Sequence, residues 1–85
     1  MIRVVIADDH ALMREGLKHI LQSASDIEIA AEATDGFETL QVIRTNSWDM
    51  LVMDLYMPGR GGMELIRQIR EEVPQLRILV LTMHE

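Results

Sequence analysis

Asp8 and Asp9 directly follow the apolar run Val4-Val5-Ile6-Ala7, Asp54 follows Met50-Leu51-Val52-Met53, and Thr82 follows Ile78-Leu79-Val80-Leu81. Four oxygen-bearing side chains therefore stand where buried strands would end. If those strands run parallel, their carboxyl ends share one rim, which is where open α/β sheets bind ligands. Three carboxylates brought together at neutral pH repel one another and take up either a proton or a hard divalent cation. An all-oxygen donor set suits Mg²⁺ or Mn²⁺ better than zinc. Magnesium held by one or two carboxylates keeps positions open for water and phosphate oxygens, so phosphoryl chemistry is the natural use, with one acid as the nucleophile. Asp54 ends the most apolar central run and is the candidate nucleophile. The loop from Leu55 to Gly62 can offer a backbone carbonyl, and Gly59, Gly61 and Gly62 are expected to relieve crowding there and to permit φ > 0.

Each of these residues also has an ordinary explanation. An Asp after a strand commonly makes a turn or caps a helix. Asp8-Asp9 ahead of a helix could compensate its dipole. Capping, however, does not call for acids after two strands and a hydroxyl after a third, and the joint pattern favours a site. His10, His19 and His84 lack metal-ligand spacing, and His10 and His19 read as surface or helix-start residues. The seven methionines fall mostly in apolar stripes and read as packing. Trp48 and Tyr56 are too few for a base-stacking platform.

The elements that must position the acids can be read from apolar period. Ile2 to Ala7, Ile27 to Ala33, Met50 to Met53 and Ile78 to Leu81 predict four strands. The last two are almost wholly apolar, as strands covered on both faces must be, whereas Ile27-Glu28-Ile29 alternates like a strand nearer an edge. Between them, Leu12, Met13, Leu17, Ile20, Leu21 and Ala24 form one helical stripe, and Phe37, Leu40 and Ile43 a second. Met63, Leu65, Ile66, Ile69 and Val73 form a third, stopped by Pro74, which cannot continue a helix. The predicted order is βαβαβαβ, and right-handed crossovers make it a doubly wound parallel sheet of order 2-1-3-4.

Composition narrows the function. With 85 residues and 48% hydrophobic side chains the chain suits one small globular domain. A formal net charge of −6 without a Lys/Arg cluster argues against a direct grip on nucleic acid or an anionic membrane. There is no cysteine, hence neither a disulfide framework nor a thiolate site. The start lacks the pattern of a signal peptide, and no run approaches the roughly 18 apolar residues of a membrane span. A cytoplasmic location is the expectation.

Taken together, Val4-Val5-Ile6-Ala7 before Asp8-Asp9-His10, then Arg14-Glu15-Gly16-Leu17, then Met53-Asp54-Leu55-Tyr56-Met57-Pro58-Gly59 with Gly61-Gly62, and Val80-Leu81-Thr82 resemble the receiver domain of two-component response regulators, nearest the NarL/FixJ (LuxR-type) class. The resemblance runs over essentially the whole chain. It implies a flavodoxin-like, CheY-like fold, with Asp54 as phosphoacceptor, Asp9 binding Mg²⁺ directly, and Asp8 holding it chiefly through water. The Tyr56 backbone carbonyl would supply a further oxygen, and Thr82 would be the switch hydroxyl. Implied partners are a sensor histidine kinase and, through a C-terminal helix-turn-helix domain not in this chain, DNA. Family members continue beyond the fourth strand through another helix, a fifth strand bearing a phosphate-binding lysine, and a final helix. The only lysine here, Lys18, lies in the first helical stripe, so the expectation is the N-terminal part of a longer regulator. An unpaired Ile78 to Leu81 strand would favour a homodimer or swapped oligomer. The expected role is a phosphorylation-dependent switch rather than an enzyme. The rival phosphohydrolase reading needs a second acid two residues after Asp54, where Tyr56 stands, and a metal-free interaction module is the other rival.

Overall fold

A computed structural model describes residues 1–59 and 61–81. The elements are β1 (Ile2–Ala7), α1 (Ala11–Gln22), β2 (Ile27–Ala33), α2 (Gly36–Thr45), β3 (Met50–Asp54), α3 (Gly62–Glu72) and β4 (Arg77–Leu81). All pairings are parallel, in the order β2-β1-β3-β4. This is the anticipated topology. Two strand ends differ from the apolar runs: Asp54 is the last residue of β3, opposite Leu81, and Arg77 opens β4 opposite Met50. Ladder hydrogen bonds join backbones and are indifferent to side-chain polarity, so a strand can outrun its apolar run.

Alternation along the strands divides the core in two. Val5, Ala7, Leu51, Met53, Ile78 and Val80 face the side covered by α2 and α3, where Leu40, Ile43, Leu65 and Ile69 are buried against them. Val4, Ile6 and Val52 face the other side, under Leu17 and Leu21 of α1. In β2 the partner of Val4 is Ile29 but that of Val5 is Ala31, so Ala30 is an extra residue. This bulge turns the strand over. Ile27 and Ile29 pack on the α1 side, whereas Ala31 and Ala33 pack on the opposite side. Glu32, paired with Ile6, is consequently delivered to the α1 face.

Several stripe residues do not pack as the period suggests. Leu12 is 87% exposed and Ile20 66%, because Leu17 and Leu21 define the inward face of α1 and Leu12 lies roughly 160° round from it at 100° per residue. Phe37 and Met63 are also exposed, each sitting in the first turn of its helix. Ala24 lies past the end of α1, and Val73 caps α3. Leu79 in β4 is 51% exposed, so that strand is not covered on both faces among the described residues. Of the methionines, Met53 and Met57 are buried as expected.

Loops at the amino ends of the strands are tied down separately. The Arg3 guanidinium lies 4.7 Å from the centre of the Trp48 ring and donates to the Ser47 carbonyl. The Trp48 indole N–H donates to the Val42 carbonyl at 3.0 Å. At the start of α2, Asp35 accepts from the Glu38 N–H, while the Glu38 carboxylate accepts from the Thr34 N–H in return, as in a capping box shifted by one residue.

Candidate metal and phosphoacceptor site

At the carboxyl ends of β1 and β3, one ligand atom each of Asp8, Asp9, His10 and Asp54 lies within 4.8 Å of all the others. The adjacent strands β1 and β3 place these groups side by side, since Ala7 pairs with Met53. Asp8 and Asp54 are 3% and 4% exposed, and Asp9 stands out toward solvent. Buried carboxylates need partners, and the backbone supplies them. Asp8 Oδ1 accepts from the His10 N–H at 2.8 Å, and Asp54 Oδ1 accepts from the Tyr56 N–H at 3.0 Å. Each acid thereby turns the chain just after its strand, as Asp side chains do in Asx turns. The Asp54 Oδ2 atom faces the site, 3.9 Å from His10 Nδ1.

His10 is the residue that sequence reasoning left outside the site. Its Nδ1 lies 2.9 Å from Asp8 Oδ1 and 3.1 Å from Asp9 Oδ1. It is also the N-cap of α1, with no side-chain cap bond, so the helix-start reading holds but is incomplete. The hydrogen bond to Asp8, then the charge of Asp9, raises its pKa above the usual histidine range. Its position directly after Asp8-Asp9 was the available signal. No spacing rule for metal ligands covers it.

The loop after Asp54 is shaped by two glycines. Gly59 has φ 96°, in the left-handed region expected of Gly59, Gly61 and Gly62 together, with the Phe37 ring packed beside it. Gly61 does not share it, at φ −59°. A Cβ on Gly62 would collide with the Leu55 carbonyl oxygen and side chain, so this position is needed for close approach. The Gly36 N–H donates to the Pro58 carbonyl at 3.0 Å and fastens the loop to the start of α2. Thr82 lies outside the described residues. Lys18, on α1, pairs with Glu15 and Glu32, away from the acids.

The donor set fits a hard divalent cation. An octahedral Mg²⁺ with bonds of about 2.1 Å separates its ligand oxygens by about 3 to 4 Å, and one ligand atom from each acid already lies within 4.8 Å of the others. The carboxylates of Asp8, Asp9 and Asp54 are the atoms that would hold it.

Known proteins resemble this chain in sequence and in fold. The family described as response regulator receiver domain matches residues 4–85. The response regulator UvrY of Escherichia coli strain K12 is 39% identical over 84 residues, covering 99% of this chain and 38% of UvrY. The oxygen regulatory protein NreC of Staphylococcus haemolyticus is 42% identical over 85 residues, covering 99% of this chain and 39% of NreC. The chain thus spans about two fifths of the length of these curated relatives. A solved structure of RcsB from Salmonella enterica serovar Typhimurium, bound to a promoter in the presence of the phosphomimetic BeF3⁻, superposes with a TM-score of 0.93 at 31% identity, covering 100% of this chain and 72% of that one. With the sheet order, the rim of acids and these matches in agreement, the chain belongs to the receiver domains of two-component response regulators, related to UvrY, NreC and RcsB.

Proposed function

We propose that Asp54 is the phosphoacceptor of this receiver. The observation that carries the reading is the convergence of Asp8, Asp9 and Asp54, with Asp54 held by the Tyr56 N–H through one oxygen while the other faces the site. An oxygen of Asp54 attacks the phosphorus of a phosphohistidine on a sensor kinase. The P–N bond breaks, the imidazole leaves with the bonding pair and takes up a proton, and an acyl phosphate remains. Mg²⁺, when bound, neutralises charge developing on the phosphoryl oxygens. Asp9 is assigned as its direct ligand, Asp8 as a ligand chiefly through water, and the Tyr56 carbonyl as a further oxygen. Thr82 is assigned as the hydroxyl that turns toward the new phosphoryl group and couples it to the end of β4.

In the intact regulator, cytoplasmic on this reading, the switch biases dimerisation and DNA binding by a C-terminal domain outside this chain. RcsB bound to its promoter with a phosphomimetic is the parallel that supports it. Incubating the intact protein with Mg²⁺ and a small acyl-phosphate donor should give a labile adduct on the native chain and none on Asp54→Asn. Labelling of that variant at the native level overturns the assignment. Metal binding without an adduct would favour a degenerate receiver.

A further inference from the structure

Arg14, in the segment Arg14-Glu15-Gly16-Leu17, reaches the acid turn directly. Its Nη1 donates to the Asp8 main-chain carbonyl at 2.8 Å, and its Nε donates to Glu32 Oε1 at 3.0 Å. The Asp8 N–H donates to the Ala33 carbonyl at 3.0 Å, so both backbone groups of this residue are pinned. One anchor is the sheet. The other is a guanidinium fork.

We propose that Arg14 is a positioning residue for the divalent-cation site: held by Glu32, it fixes the Asp8–Asp9 turn through the Asp8 carbonyl and so presets the metal-binding carboxylates. This rests on reading Asp8, Asp9 and Asp54 as that site. The bulge at Ala30 is part of the device, because the same sequence paired in unbroken register, with no bulge, would turn Glu32 to the α2–α3 side and Arg14 would lose its counterion. Glu32 also accepts from Lys18 Nζ at 2.9 Å, and Lys18 pairs in turn with Glu15 at 2.7 Å. Lys18 first, and Arg14 after it, hold the Glu32 carboxyl below the usual glutamate range, so it stays ionised at neutral pH.

Two effects of Arg14 on a bound cation oppose each other. Its positive charge repels the cation, while its hydrogen bond orders the turn that carries the ligands. Glu32 neutralises the charge at contact distance, leaving a pair whose field at the acids is weak and screened, whereas the hydrogen bond acts on the ligand-bearing residue itself. Ordering wins. An arginine suits the task because its rigid planar fork presents separate nitrogens, Nε to the carboxylate and Nη1 to the carbonyl, in one fixed geometry, whereas an ammonium is a point charge on a flexible stem.

The test is Mg²⁺ titration of the intact protein, following the amide resonances of Asp9, His10 and Tyr56, with thermal unfolding in parallel. Arg14→Met should weaken Mg²⁺ binding by about tenfold, in the range seen when groups supporting metal ligands are removed. Lys18→Met, which strips the same Glu32 of an ion pair but touches nothing in the acid turn, should change binding by less than about twofold. Arg14→Lys should fall between native and Arg14→Met. Unchanged or tighter binding by Arg14→Met, or equal losses in Arg14→Met and Lys18→Met, overturns the inference. Should Arg14→Met fail to fold, Glu32→Gln takes its place, and native Mg²⁺ affinity in that variant is equally fatal. A native chain that binds no Mg²⁺ removes the site reading and this inference with it, so the two failures are separable.

Discussion

Asp54 and Thr82 are assigned different duties, and their variants should separate them. A neutral hydroxyl adds little to a carboxylate site, so Thr82→Ala should keep Mg²⁺ affinity near native while weakening the proposed coupling of phosphorylation to dimerisation or DNA binding. Normal coupling in that variant, measured on the intact regulator, would remove the switch role. The loop glycines permit a similar contrast. An added methyl at Gly62 meets the Leu55 carbonyl and side chain, whereas at Gly61 it meets nothing within 4 Å. Gly62→Ala should therefore cost about 1 to 3 kcal/mol of folding stability and Gly61→Ala less than about 0.5 kcal/mol, compared by urea unfolding. Equal costs would show that the loop relaxes freely around Gly62.

Among the elements, β2 shows where legibility ended and why. The strand itself and its edge position were readable from Ile27-Glu28-Ile29, and the sheet order followed from the alternation of strands and helices. The bulge at Ala30 was not readable, because the run Ala30-Ala31 fits either face and only pairing with β1 reveals the extra residue. The same applies to His10, whose place among the acids depends on how α1 starts rather than on any spacing. Helical period placed Leu17 and Leu21 correctly but counted Leu12 and Ile20 inward, since period ranks apolar residues without knowing how much sheet a helix covers. A pH experiment tests the bulge's main product. Glu32 is held below the usual glutamate range, so its ion pairs stabilise the fold above about pH 4 and are lost as pH falls through its lowered folded value. Glu32→Gln should be less stable than the native chain by up to about 1 kcal/mol at neutral pH, with the gap closing on acidification. A gap that stays constant down to pH about 3 would show that ionisation of Glu32 does not contribute.

For the molecule as a whole, β4 is the exposed flank: among the described residues it pairs only with β3, and Leu79 is half exposed. The 85-residue chain studied alone should self-associate through this edge, and Leu79→Lys, a gatekeeper charge, should shift it toward monomer. Light scattering across a concentration series decides the point, since a concentration-independent native monomer would show that the edge is satisfied without a second copy. At the other end of the sheet, the Arg3–Trp48 stack has a use in optical work. Trp48 is the only tryptophan and lies beyond the start of β3, on the order of 15 Å by strand rise from Asp54 at its end. Its emission should report unfolding while remaining silent to cation or phosphoryl at the far rim, so a single chain carries an internal reference against which any spectral change near Tyr56 can be normalised.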